Sequence, residues 1–107
     1  MPVKLLWVKK HLRLTSRGMR TVLAVCDDGL FGKVYKGKRG RLDLVLYQSF
    51  YQGDLVSFEE AVVLLKTAES INLVGRDSIK AAQAAYEVSR TAVKKIGGIP
   101  HLQLYKV

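Results

Sequence analysis

The sequence predicts an α+β fold: a mainly antiparallel sheet of about four strands, with two helices between the third and last strands, packed on one face. Three observations carry this reading. The first 47 residues hold β-rich segments separated by turn signals. Residues 57–95 carry apolar positions at helical spacing. The segment from Ile99 onward returns to strand composition. Strands, then two helices, then a strand is the order expected of helices laid on one face of an antiparallel sheet. A chain of 107 residues has room for one core, so 1–107 is read as a single domain.

Each element has a local reason. Val3 to Val8 is dense in Val, Leu and Trp, apolar on both faces, and reads as a central strand. Lys9 to Gly18 reads as a polar, basic link ending in the turn signal Ser16-Arg17-Gly18. Thr21 to Cys26 reads as a second strand, and so short a link favours antiparallel pairing with the first. Asp27-Asp28-Gly29 closes it as a turn. Gly32 to Gly40 is a loop with three glycines and four cations. Arg41 to Tyr47 alternates, with Leu42, Leu44 and Leu46 on one side, and reads as a half-buried strand. Gly53-Asp54 marks another turn.

Ser57-Phe58-Glu59-Glu60 has the form of a capping box and opens a helix to about Thr67. Asn72 to Gly75 reads as the break after it. Asp77 is placed to cap a second helix, about Ser78 to Lys95. Lys94 and Lys95 suit its C-terminal dipole, and Gly97-Gly98 ends it. Ile99 to Val107 is the last strand, with Pro100 near its start where a missing donor is tolerated.

Charge is concentrated in one half. Eleven basic residues against three acids give Met1 to Tyr47 a charge of +8, whereas seven against six leave +1 for the rest. An excess confined to one half points to a surface that meets a polyanion, with nucleic acid the first candidate. No apolar run approaches the length of a membrane span, and the start lacks the core of a secretory signal. Cys26 is the one cysteine, so no internal disulfide forms, and a cytoplasmic location is expected.

Several blocks carry a resemblance when taken in order: Val25-Cys26-Asp27, Leu30-Phe31-Gly32-Lys33, Phe50-Tyr51-Gln52-Gly53, Ser57 to Ala61, Asn72-Leu73-Val74-Gly75 and Ile96 to Gln103. From about Arg20 onward the chain resembles a small archaeal family catalogued as a domain of unknown function, number 424 in its series. The residues that carry the likeness are Asp27, Gly32, Phe50, Tyr51, Gly53, Asn72, Gly75, Gly98, Pro100, His101 and Gln103. The resemblance implies an archaeal, cytoplasmic α+β protein with no established activity and a loose association with translation genes. Its relatives often carry acids where this chain has the basic run Lys36 to Arg41.

Two basic clusters are candidate phosphate contacts. Gly37-Lys38-Arg39-Gly40 places Lys38 and Arg39 between two glycines, which admit close backbone approach, and Lys33, Lys36 and Arg41 flank it. This is neither a KH loop, which lies between helices, nor a Walker loop, which ends in Gly-Lys-Ser/Thr. Lys9, Lys10, Arg13, Arg17 and Arg20 form the second cluster, at the same end of the sheet or the opposite one. Trp7, Tyr35, Tyr47 and Tyr51 stack on bases if exposed.

The remaining candidates have plainer readings. His101, Gln103 and Tyr105 share one face of the last strand, and His101 is expected to be a hydrogen-bonded structural histidine. His11 is remote from it in sequence and Cys26 stands alone, so no metal site or other cofactor is expected. Asn72 and Gly75 are expected to serve a helix end, Asp27-Asp28 to make a turn rather than hold Mg²⁺, and Cys26 to fill the core.

The expectation is a small, non-enzymatic RNA-binding protein of archaeal translation, attached to the ribosome through rRNA phosphates. The alternatives are a protein-interaction module docking through its helical face, and a small RNA-processing enzyme built on His101 with Asp27 or Asn72.

Overall fold

The computed structural model describes residues 4–38 and 40–105 of the chain. Its first element is a long hairpin. β1 (Leu5–Thr15) and β2 (Gly18–Asp27) pair antiparallel from Leu6 opposite Asp27 to Thr15 opposite Gly18. The expected link at Lys9 to Gly18 is therefore mostly strand. Its charges mask an alternation in which Lys9, His11, Arg13 and Thr15 share one face while Lys10, Leu12 and Leu14 share the other.

β3 (Val34–Gly37) and β4 (Gly40–Asp43) form a separate two-stranded hairpin, so the glycine-rich loop is itself largely strand. The strand expected to reach Tyr47 stops at Asp43. That carboxylate accepts the backbone N–H groups of Val45 and Leu46 and turns the chain. Leu42 and Leu44 are buried as their alternation requires, but Leu46 is exposed.

A short helix α1 (Gln48–Tyr51) and strand β5 (Asp54–Ser57) follow, then α2 (Phe58–Thr67) and β6 (Ser70–Val74). α3 (Arg76–Ala85), β7 (Lys94–Ile96) and β8 (Ile99–Tyr105) complete the chain, with a 3-10 turn at Arg90–Ala92. The main sheet has six strands, not about four, in the order β5-β1-β2-β6-β8-β7. Its pairs are antiparallel except β2 with β6, which run parallel. The edge strands β5 and β7, of four and three residues, are too short to leave a period in the sequence.

α2 and α3 cover one face. Their Ala61, Leu65, Ile79, Ala81 and Ala82 pack on Leu6, Val8, Leu23, Val25, Ile71, Leu73 and Leu102 of the strands. α2 starts as its sequence predicts, with Ser57 Oγ accepting the Glu60 N–H. The second helix is shorter than expected and ends at Ala85. Tyr86, Val88, Ala92 and Val93 still pack against the core, but from extended and 3-10 chain. Lys94 and Lys95 lie in β7, and Gly97-Gly98 is the β7–β8 hairpin turn, with φ of 58° and 82°. Two successive positive φ values are what a tight hairpin of this twist demands, and glycine supplies both.

Asn72 to Gly75 is not a break between two helices. Residues 70–74 form strand β6, buried throughout, between β2 and β8. A strand covered on both sides loses the alternation that would have marked it. The opposite sheet face carries its own core, where Ala24, Cys26 and Val74 meet Leu42, Leu44 and Tyr51 from the β3–β4 hairpin and the segment after it. Cys26 fills this core, as expected; it is fully buried, and desolvation pushes its thiol up to about 12.

α3 begins on a cap from another strand. Asp27, not Asp77, accepts the N–H groups of Asp77 and Ser78, at 3.0 and 2.7 Å, and the Ser78 hydroxyl at 2.8 Å. Gly75 is the N-cap residue at φ 108°, and a Cβ there would collide with the Asp27 carboxylate. Burial raises the Asp27 carboxyl above its ordinary 3.8, and these hydrogen bonds offset only part of that rise. The native state therefore holds this proton more tightly than the unfolded chain does. Stability from Asp27 is full below pH 3.8 and declines as pH rises through its higher native value. Asp27→Ala removes both acceptor oxygens, leaves the three donors unsatisfied and should destabilise by about 1–3 kcal/mol. Urea unfolding at pH 3 and pH 6 should show that deficit narrowing at the higher pH; a deficit that widens would reverse the assigned direction.

Candidate functional site

The face opposite α2 and α3 is only partly covered. The β3–β4 hairpin and α1 close one part, and the part toward the tip of the β1–β2 hairpin is open. Register sets what that face presents. Lys9, Ala24, Asn72 and Gln103 lie side by side across β1, β2, β6 and β8. His11, Val22 and Ser70 form the next row, and Arg13 and Arg20 the next.

Three adjoining hollows run along this face. The first, of about 370 Å³, is lined by Arg41, Tyr47, Phe50, Tyr51, Asn72, His101 and Gln103, with Leu42 and Ile96. Asn72 and Phe50 also line the second, of about 330 Å³, with His11, Leu12, Arg13 and Val22. Arg13 and Val22 continue into a third, of about 190 Å³, beside Arg17, Arg20 and Glu69. Shared walls make the three one trough, with arginines at one end and aromatic rings and amides at the other.

Asn72 sits where the two larger hollows meet. It is 6% exposed, and its Oδ1 is buried without a hydrogen-bond partner among the described residues. An orphaned buried acceptor of this kind costs about 1–3 kcal/mol. Its strand neighbour Ala24 has nothing to donate. The Phe50 ring stacks on His11 at 4.3 Å and 9°, and His11 Nε2 bonds the Phe50 carbonyl at 2.7 Å. Lys9 Nζ donates to the Ser49 carbonyl at 2.6 Å, so β1 holds α1 at two points.

His101 lines the first hollow beside Lys94, its partner on β7. The structural hydrogen bond expected for its ring is absent among the described residues. Burial holds the imidazole below its ordinary 6.5, and the Lys94 ammonium pushes it further down. The pairing of His101 with Asp27 that the enzyme alternative requires does not form, because Asp27 is turned to the helix side by its register opposite Leu6. Asn72 and His101 do share a hollow, but no carboxylate lines it among the described residues. No three His, Cys, Asp or Glu side chains are grouped for a metal ion among the described residues.

The ten candidate phosphate contacts fall into separate places. Lys9, Arg13 and Arg20 share the open face, Arg17 occupies the hairpin turn, and Arg41 rims the first hollow. Lys10 points to the helix side, where it lines a small recess with Leu23 and Leu64. Lys33, Lys36 and Lys38 are exposed on or beside the β3–β4 hairpin, and Arg39 lies outside the described residues. Arg20 is paired with Glu69 at 3.0 Å and Arg41 with Asp43 at 3.2 Å. Arg13 and Arg17 have no ion-pair partner among the described residues. Of the stacking candidates, Tyr51 is buried, while Trp7 packs on Phe31 and Tyr35 donates to the Leu30 carbonyl, both half-buried. Tyr47, 54% exposed, remains open, and Phe50, which sequence reasoning missed as a wall residue, joins it.

The resemblance residues divide by role. Asp27 and Gly75 make the α3 clasp, and the Pro100 carbonyl accepts the Gly75 N–H at 2.9 Å. Gly53 lies against the β1 backbone with no room for a Cβ, and Gly32 and Gly98 turn the chain. Phe50, Tyr51, Asn72, His101 and Gln103, scattered over fifty residues of sequence, converge on the first hollow. The Tyr105 side chain lies outside the described ones.

A family model described as a protein of unknown function, DUF424, matches residues 14–107. The chain belongs to that family. It is also similar to a solved structure, described as the crystal structure of an uncharacterized conserved protein from Methanopyrus kandleri. The two share 25% identity and a TM-score of 0.78, over 94% of this chain and 90% of that one. No curated protein matches the chain. No helix among the described residues is long and apolar enough to cross a membrane.

The geometry at His101 has a direct readout. Its ring resonances should titrate below pH 6.5 in an NMR pH series. Lys94→Ala should raise the midpoint yet leave it below 6.5, because burial is the larger cause. A wild-type midpoint above 6.5 would contradict the packing described.

Proposed function

We propose that the chain is a small RNA-binding protein that takes looped or single-stranded RNA along the open face of its sheet, without catalysing a reaction. The observation that carries this reading is the continuous trough. It combines the unpaired Arg13 and Arg17 at one end with Tyr47, Phe50 and Arg41 at the other. Arginines along such a track neutralise phosphates, and aromatic rings stack on splayed bases. Ribosomal RNA is the proposed partner and archaeal translation, in the cytoplasm and on the ribosome, the proposed setting. The charge of +9, and the loose association with translation genes that the resemblance implies, support it.

A protein partner is the second reading, and one observation favours it. On the helix-side face of the β1–β2 hairpin, Leu12, Leu14 and Met19 are exposed beyond the cover of the helices, and α2 exposes Val63 and Leu64. That apolar surface lies on the other side of the sheet and meets the trough only at Leu12, so the two readings are compatible in one molecule.

Fluorescence anisotropy with a labelled single-stranded RNA, at graded salt, tests the first reading. With about five phosphates contacted, log affinity should fall against log salt with a slope of about −3.5. Arg13→Ala with Arg17→Ala should flatten it by about 1.4. Lys10→Ala with Lys66→Ala, on the helix side, should leave it unchanged. A slope insensitive to the first pair and flattened by the second would move the interface to the other face.

A further inference from the structure

We infer that the hollow floored by Asn72 is a nucleobase subsite, which takes one unstacked base of the bound strand. The inference rests on the RNA-binding reading and adds to it a chemical specificity that phosphate contacts do not carry.

The hollow has the size and wall chemistry for such a ligand. Its volume of about 370 Å³ lies in the range of small-molecule pockets and exceeds what one planar base needs. Two flat rings, Tyr47 and Phe50, stand in its wall. Phe50 is held by its stack on His11 and by the bond from its carbonyl to that ring, so the wall is preorganised. Tyr47 is exposed and free to fold over an entering ligand.

The floor carries the hydrogen-bonding groups. Asn72 and Gln103 are directly opposite each other on β6 and β8. Two adjacent amides offer both donors and acceptors, the mixture that a base edge presents in return. Asn72 is more than nine-tenths buried, yet its carbonyl oxygen has no donor among the described residues. A buried amide whose oxygen finds no donor is hard to explain by packing alone, since a leucine would fill the space without the penalty. An amino or imino N–H from a base supplies the missing donor once the amide turns toward it. His101, kept neutral, adds a further uncharged ring at the edge of the floor, and Arg41 stands at the rim where the attached phosphate would lie.

Backbone-only RNA binding would need none of these features. Arg17 and Arg20 lie in the third hollow and Arg13 between the second and third, and none of the three lines the first. The subsite can therefore be tested separately from the cationic track.

The test uses the whole chain and small probes. Nucleoside 5′-monophosphates and ribose 5-phosphate are titrated against it by NMR, with the same phosphate and sugar in both and the base in one only. Binding at least tenfold tighter for one or more of the monophosphates, with shifts at Asn72, Phe50 and Gln103, is the expected result. Gln103→Ala and Tyr47→Ala, both at exposed positions, should each weaken it at least fivefold while leaving the fold intact by circular dichroism. The Arg13→Ala, Arg17→Ala protein should bind the monophosphates as wild type does. Equal binding of ribose 5-phosphate would overturn the subsite and leave phosphate-based RNA binding standing. No binding of any monophosphate, with a normal RNA salt slope, would do the same. Loss of both would remove the RNA reading with it.

Discussion

The Asp27 carboxylate lies at the end of β2 and accepts three donors from the first turn of α3. Those donors would otherwise be unsatisfied at a helix start, where a negative group is also favoured by the dipole. The clasp spans about fifty residues of sequence and closes the parallel β2–β6 unit around which the sheet is built. Gly75 makes it possible, since any side chain there would occupy the place of the carboxylate. With β6 so anchored, its register against β2 and β8 is set, and Asn72 falls on the open face beside Gln103. A slip of one residue would turn Asn72 into the helix-side core and bring Leu73 to the open face.

The two faces are unlike because their covers are unlike. α2 and α3 seal one with small and branched side chains. The other receives a short hairpin, a four-residue helix and the segment carrying Leu30 and Phe31, which bury Cys26, Ala24 and Val74 and stop there. What stays uncovered is polar or basic where it meets solvent, and aromatic where the cover ends. The proposed function follows from this incomplete cover, and the helical half serves as its backing.

Legibility in the sequence followed the range of the interactions. The Ser57 cap was readable because its partner Glu60 is three residues away. The helix it opens, the alternation of His101 and Gln103 against Leu102, and the burial of Cys26 were readable for the same reason. Asp27 looked like a turn residue because its partners lie fifty positions on. β6 was hidden by burial on both sides, and the outer half of β1 by charges on an alternating backbone. The last turns assigned to α3 were misplaced because Tyr86, Val88, Ala92 and Val93 have helical spacing but reach the core in another conformation. The basic residues were identifiable as a group, but which of them share a face depended on register. Asn72 and Phe50 were among the resemblance residues, but their places at the floor and wall of one hollow came only from the fold.

On the proposed function, the open face of the sheet, and not the helical face, meets RNA. Amide chemical-shift mapping with an unstructured oligoribonucleotide tests it most directly. The account predicts perturbations along His11, Arg13, Val22, Asn72 and Gln103, with α2 and the outer surface of α3 unmoved. Perturbations confined to α2 and α3, or none at RNA concentrations that saturate basic proteins of this charge, would contradict it.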